Sequence, residues 1–148
     1  IVNLQGDEPF IRSEQINSLV QSFTNPSVDI ATLKKELIDN ADIENPNVVK
    51  VVSGINQQAL YFSRSPIPFL RDKGHAKHYK HIGMYAFRPS ILHQITNLSP
   101  TPLEKSESLE QLRWLENGFR IQVIETHWAS PAIDTPEDLE RVLKNQLI

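Results

Sequence analysis

The sequence predicts an α/β domain with a mixed sheet and an antiparallel hairpin excursion. Three observations lead there. Short β-prone runs alternate with amphipathic helical stretches along the 148 residues. Two of those runs, Val48–Val52 and Ala59–Ser63, flank a polar segment built on Ser53-Gly54-Ile55-Asn56, as the arms of a hairpin do. Phe119–Glu125 alternates apolar and polar residues, the period of a half-buried strand.

Taken in order, Ile1–Leu4 reads as a strand that runs into the polar turn Gly6-Asp7-Glu8-Pro9. Ser13 is placed to cap a helix whose apolar stripe is Ile16, Leu19, Val20 and Phe23, with Asn25-Pro26 ending it. Val28–Leu33 is a strand, and the polar stretch Asn40–Asn47 is a loop. After the hairpin, Pro66 and Pro68 make Ser65–Gly74 an irregular loop or sheet edge. His81–Arg88 is a strand, and Pro89 opens a short helix through Ile91, Leu92 and Ile95. Thr101-Pro102-Leu103-Glu104 combines a cap, a first-turn proline and the carboxylate of a capping box. Leu109, Leu112 and Leu115 continue that helical region to Gly118, a natural stop. Thr135-Pro136-Glu137-Asp138 opens a last helix with the stripe Leu139, Val142, Leu143 and Leu147.

Composition narrows the function. There are 15 Lys and Arg against 18 Asp and Glu, with no clustered basic run, which argues against a nucleic-acid binder. Nothing is apolar for long enough to span a bilayer as a helix. The absence of cysteine excludes disulfides, thiolate metal sites and a cysteine nucleophile, and fits a cytoplasmic protein. No glycine-rich phosphate loop and no serine nucleophile elbow occurs. Ile1 is not a start methionine and IVNLQ already reads as a strand, so native sequence upstream of Ile1 is expected.

Five groups of residues have chemical potential. Asp7 follows a strand, at the end where open α/β sheets bind ligands, and a carboxylate there suits Mg²⁺; an ordinary acidic turn would look the same. Asp134 beside Thr135-Pro136 either complements a helix dipole or supplies a second Mg²⁺ ligand. Arg64, at a strand end in a proline-stiffened loop, either lies on the surface or grips a carboxylate through two parallel hydrogen bonds. His75, His78 and His81 are spaced three apart, but on a strand they would not converge on zinc. Glu104, Glu107, Glu110 and Gln111 fall on one helical face, either solvated or hydrogen-bonded to a polyhydroxyl ligand.

The segments VNLQGDEPFI, NPNVVKVV, ALYFSRSPIPF, HIGMYAFR, LEKSESLEQLR and IDTPEDLERV, in that order, resemble the CMP-Kdo synthetases, cytidylyltransferases acting on the acid sugar 3-deoxy-manno-octulosonate (Kdo). The resemblance runs from Val2 to Val142. It implies a Rossmann-like three-layer nucleotidyltransferase fold with a mixed sheet and a hairpin excursion. Residues 1–148 would be the C-terminal, sugar-binding and dimerisation portion of one cytidylyltransferase domain, truncated at its N-terminus. The family's N-terminal CTP-phosphate loop would be missing, and the piece alone would be inactive.

It also implies a reaction: CMP passes from CTP to the anomeric hydroxyl of Kdo, with Mg²⁺ as cofactor, in a cytoplasmic homodimer serving lipopolysaccharide biosynthesis. Asp7 and Asp134 would be the catalytic, Mg²⁺-binding carboxylates. Gln5, Arg64, His81, Tyr85, Glu110 and Gln111 would line the Kdo pocket, with Arg64 on the sugar carboxylate and His81 and Gln111 on hydroxyls. The chain departs from the family in the Ala129–Ile133 approach to Asp134, where a glycine is usual, and in Trp114, which replaces a smaller aliphatic residue. Two rivals remain: a cytidylyltransferase for another acid sugar such as sialic acid, and an inactive sugar-binding or dimerisation module.

Overall fold

The computed structural model describes residues 1–4, 10–72, 74–128 and 140. Its element order is β1 (Val2–Asn3), α1 (Ser13–Ser22), β2 (Ile30–Leu37), α2 (Asn40–Glu44), β3 (Lys50–Ser53), β4 (Ala59–Ser63), β5 (His78–Phe87), α3 (Pro89–Ile95), α4 (Pro102–Glu107), α5 (Glu110–Glu116) and β6 (Ile121–Glu125). Gln5, Asp7, Asp134 and the last predicted helix lie outside the described residues, apart from the isolated Glu140.

The sheet is organised around β5. On one edge β2 pairs antiparallel along its whole length, from Ile30 opposite Phe87 to Leu37 opposite His78, and β6 adds parallel to β2. On the other edge β1 pairs with Tyr85 and Ala86, and β3 pairs at Lys80. The main path is β4-β3-β5-β2-β6, so the predicted mixed α/β sheet is present. Between Thr32 and Leu33 the register against β5 shifts by two residues, from Tyr85 to Ile82. A shift of two keeps every side chain on its own face.

Each face has its own core. Leu19, Val28, Ala31, Leu33, Ile82, Met84 and Ala86 pack together beneath α1. On the other face Ile30, Phe87, Ile121 and Val123 meet Ile95 of α3 and Leu112 and Trp114 of α5. Burying each such side chain stabilises the fold by about 1.5–3 kcal/mol relative to leaving it exposed.

The hairpin β3–β4 contributes Val51 and Phe62 to that second core, and its turn reaches across to the far edge. Gln57, at φ 60, accepts a hydrogen bond on its carbonyl from the Val123 N–H at 2.8 Å. Lys34 fastens the same turn. Its ammonium donates to Ser53 Oγ at 2.8 Å and Gln57 Oε1 at 2.9 Å, and lies 4.2 Å from the Tyr79 ring centre. Burial pushes this lysine's pKa down, against the opposing pull of Glu125.

Several local expectations are corrected. The cap of α1 is Arg12, whose N–H donates to Gln15 Oε1 at 3.0 Å, and Ser13 is the first helical residue. The buried positions of α1 are Gln15 and Leu19, while Val20 faces solvent. Asn40–Glu44 forms a helix where a loop is expected, because the Asp39 carboxylate accepts from Ala41 N at 2.9 Å and caps it. β2 starts later and runs further than predicted, and β5 starts three residues earlier. The helical region after Thr101 is two helices, broken where Ser108 adopts a left-handed conformation at φ 52. Gly118, at φ 82, ends the second.

Candidate functional site

The predicted site residues within the described residues divide between the sheet and the α4–α5 junction. His81 and Tyr85 are two strand periods apart on β5, so both point to the face covered by α5. Both are buried. The ring centroids of His81 and Tyr85 lie 5.3 Å apart, Phe62 stands edge-on to His81 at 4.9 Å, and Trp114 stands edge-on to Tyr85 at 5.1 Å. Phe87 stacks on Tyr85 and meets Trp114, which completes an aromatic wall.

Two polar atoms in this wall have unusual surroundings. His81 Nε2 lies 3.0 Å from Thr32 Oγ1. Desolvation, with a smaller push from Lys80, lowers the His81 pKa to about 3, so the ring is neutral at physiological pH. The Tyr85 hydroxyl is buried and makes no hydrogen bond of ordinary geometry among the described residues, although Thr32 lies beside it, and burial raises its pKa well above the ordinary phenol value. A buried hydroxyl without a well-formed hydrogen bond costs free energy, which a water or a ligand can offset by completing the bonding.

The second half of the site hangs from β4. Ser63 Oγ donates to Glu107 Oε1 at 2.6 Å, and the Arg64 N–H donates to Glu107 Oε2 at 2.9 Å. The Arg64 guanidinium donates to three carbonyls: Glu107 at 2.7 Å, Pro46 at 3.0 Å and Ser108 at 3.4 Å. This corrects the picture of an open fork at a strand end. Three of the five N–H groups of the guanidinium hold backbone at the α4–α5 junction. Directly after that junction, α5 begins with Glu110 and Gln111. Glu110 is exposed, 4.0 Å from Arg113 Nη2, while Gln111 is buried.

The expected acidic stripe does not exist as one face. Glu104 is bonded to Arg113, which lowers the carboxyl pKa and raises that of the guanidinium. Glu107 turns to Ser63 and Arg64. The left-handed Ser108 between the helices rotates Glu110 and Gln111 out of line with both. The histidines are also dispersed. His78 Nε2 meets Pro68 O at 3.0 Å while His81 faces Thr32, and among the described residues no cluster of three or more His, Asp or Glu could hold a metal.

Sequence reasoning does not find Thr32 or Trp114 as site residues, and it groups Glu107 with an acidic helical stripe rather than with Ser63 and Arg64. The importance of Thr32, Glu107 and Trp114 comes from contacts across 49, 44 and 29 positions of chain respectively. A separate cleft of about 660 Å³ opens beside the hairpin turn, between Lys34, Ser53, Gln57, His75, Lys77 and Tyr79. Among the described residues, none of Arg64, His81, Tyr85, Glu110 and Gln111 lines it.

The chain is similar to several known proteins. A cytidylyltransferase family model matches residues 1–123. The chain is 50% identical to the 3-deoxy-manno-octulosonate cytidylyltransferase of Porphyromonas gingivalis, over 97% of this chain and 60% of that protein. It is 52% identical to the protein of the same name from Cytophaga hutchinsonii, over 96% of this chain and 59% of that one. The chain thus spans about 60% of the length of the curated relatives it matches. It is also similar to a solved CMP:2-keto-3-deoxy-manno-octonic acid synthetase complexed with CTP, at TM-score 0.91 and 42% identity, covering 99% of this chain and 62% of that one. A putative glucose-1-phosphate thymidylyltransferase from Bacillus anthracis shares the fold at TM-score 0.58 and 19% identity, over 99% of this chain and 55% of that one.

Proposed function

The chain belongs to the cytidylyltransferase family, and we propose that it is the sugar-binding part of an enzyme that makes CMP-Kdo from CTP and Kdo. One observation carries the reading. Half of its positions agree with proteins named 3-deoxy-manno-octulosonate cytidylyltransferase along nearly the whole chain. The buried Tyr85 hydroxyl, poorly matched by Thr32 beside it, supports it, because a polyhydroxyl ligand offers a well-formed bond.

In the proposed reaction the anomeric hydroxyl of Kdo attacks the α-phosphorus of CTP. A new P–O bond forms, the bond to the β-phosphate breaks, the hydroxyl proton is lost, and pyrophosphate leaves. The chain's part is to hold the sugar so that its hydroxyl lies in line with the leaving group. Tyr85, His81 and Gln111 meet the hydroxyls. Arg64 keeps the α4–α5 junction in place, and its two remaining N–H groups offer positive charge to the sugar carboxylate. Glu110 accepts hydrogen bonds from the exposed side. Gln5 completes the pocket.

The carboxylates of Asp7 and Asp134 have the hard oxygen donors that Mg²⁺ takes, so these two would hold it together with substrate oxygens. Bound there, the ion would neutralise phosphate charge and polarise the α-phosphate. The solvent-facing Ile55, Leu60 and Phe69 on the hairpin and the loop after it support a homodimer through this edge. No helix among the described residues is long and apolar enough to cross a membrane, in keeping with a cytoplasmic enzyme feeding lipopolysaccharide synthesis.

The test is the full-length protein with CTP, Mg²⁺ and a panel of acid sugars, following pyrophosphate release and identifying the nucleotide sugar by mass. CMP-Kdo is the expected product. Turnover with sialic acid in preference to Kdo would replace the substrate assignment, and no turnover with any acid sugar would leave an inactive binding module.

A further inference from the structure

We propose that Thr32 is a positioning residue that fixes His81 with its proton on Nε2, leaving Nδ1 as a bare acceptor for a sugar hydroxyl. The inference rests on the reading that His81 faces the bound sugar. The argument begins with the register shift in the sheet. Between Thr32 and Leu33 the pairing with β5 jumps by two residues, and there Thr32 Oγ1 meets two carbonyls at once. Met84 O lies at 2.9 Å and Ile82 O at 3.1 Å. His81 Nε2 lies 3.0 Å from the same oxygen. All of this is buried, with Thr32 at 0% exposure, so water is not available as a substitute partner.

The hydroxyl has one proton, and carbonyls can only accept. If that proton pointed to His81, both carbonyl oxygens would face the lone pairs of Oγ1 with nothing between them. With the proton directed to a carbonyl, the two lone pairs of Oγ1 are left to accept, from the neighbouring Tyr85 hydroxyl and from Nε2–H. A neutral imidazole has only one N–H, so Nδ1 then carries a lone pair. Among the described residues nothing hydrogen-bonds Nδ1.

This polarity decides what the ring recognises. A hydroxyl can donate to Nδ1. A carboxylate brought to the same place would oppose lone pair to lone pair, in a low-dielectric setting where the ring does not become cationic. His81 therefore selects the hydroxylated side of the sugar and disfavours a pose with the acid group reversed. Sheet geometry imposes the selection, since Thr32 is anchored by two backbone carbonyls.

Two measurements on the full-length protein test this. Two-bond ¹⁵N–¹H correlation spectra of the histidine rings report the tautomer directly. The wild type and Thr32→Ser should show a pyrrole-like Nε2 and a pyridine-like Nδ1 at His81. Thr32→Val, which removes the acceptor, should lose that preference. In steady-state kinetics Thr32→Val should raise the KM for Kdo about tenfold, the worth of one hydrogen bond. The KM for CTP should stay near the wild-type value, and Thr32→Ser should restore Kdo binding.

A wild-type His81 protonated on Nδ1 would overturn the proposal whatever the kinetics. An Nε2–H tautomer with an unchanged KM for Kdo in Thr32→Val would overturn the link to recognition. If Thr32→Val does not fold, the wild-type spectrum and the Thr32→Ser kinetics still decide. Failure of the underlying pocket reading looks different: His81→Asn would then leave the KM for Kdo unchanged while the tautomer remained as proposed.

Discussion

Lowering the pH from 7 to 5 should destabilise the protein through His81 alone by about 2 kcal/mol. The ring is buried among Phe62, Tyr85 and Thr32, with Lys80 adding like charge and Lys34 its register partner on β2. Its pKa falls from 6.5 to about 3. Between those values the unfolded chain takes up a proton that the folded chain refuses. Stability contributed by the neutral ring is fully present above pH ~6.5, and it is lost as pH falls toward 3 at a limiting ~1.4 kcal/mol per pH unit. Integrating from pH 7 to 5 with an unfolded value near 6.5 gives the ~2 kcal/mol. The assay is urea unfolding of the full-length protein and of His81→Gln at both pH values. Carboxylates titrate in both proteins and cancel in the comparison, so the wild type should lose about 2 kcal/mol more than the variant. Equal losses would refute the reasoning, as would a His81 Cε1–H resonance that titrates between pH 8 and 5.

Three other outcomes are expected. Tyr85→Phe removes a buried hydroxyl that lies beside Thr32 without an ordinary hydrogen bond among the described residues, so unfolding free energy should change by less than ~1 kcal/mol while the KM for Kdo increases; a larger loss of stability in urea would show that the hydroxyl is fully bonded in the free protein. Glu107→Gln places an amide against Ser63 Oγ and the Arg64 N–H, and should cost roughly 1–3 kcal/mol in urea and weaken Kdo binding in calorimetry through the displaced α5 start. Asp7→Asn should lower kcat for Mg²⁺-dependent CMP-Kdo formation by far more than it changes Kdo binding, and unchanged turnover would remove Asp7 from the proposed metal pair.

The large elements were legible because each carries its own periodicity. The hairpin, β6 and the short helix at Pro89 could be read from apolar spacing and turn residues alone. What sequence could not convey depends on partners far along the chain. Glu104, Glu107 and Glu110 look equivalent at helical spacing, yet Glu104 meets an arginine, Glu107 a strand end, and Glu110, on the far side of the left-handed Ser108, faces solvent. Nothing local marks that break, since serine is a rare choice at positive φ. Arg64 stood out in the sequence as a candidate arginine at a strand end, but its engagement with three carbonyls depends on where the α4–α5 junction comes to rest. Thr32 reads as one more β-branched strand residue, and only the register shift gives it His81 and two carbonyls.

These contacts divide the site into a rigid half and a suspended half, and the division has an energetic consequence. His81 and Tyr85 sit mid-strand, held by ladder bonds and by the aromatic wall with Phe62, Phe87 and Trp114. Gln111 sits at the start of a seven-residue helix, held by Ser63 and Arg64 through Glu107. A buried polar group without a partner costs roughly 1–3 kcal/mol in the free protein, and the Tyr85 hydroxyl, beside Thr32 but without an ordinary hydrogen bond, bears part of that cost. A bound polyhydroxyl ligand would offset that cost by supplying the bond. Stability is thus partly given up at the position where a sugar is proposed to bind, so a variant that removes the poorly matched hydroxyl should keep its stability as it loses affinity. A merely structural tyrosine would lose both together.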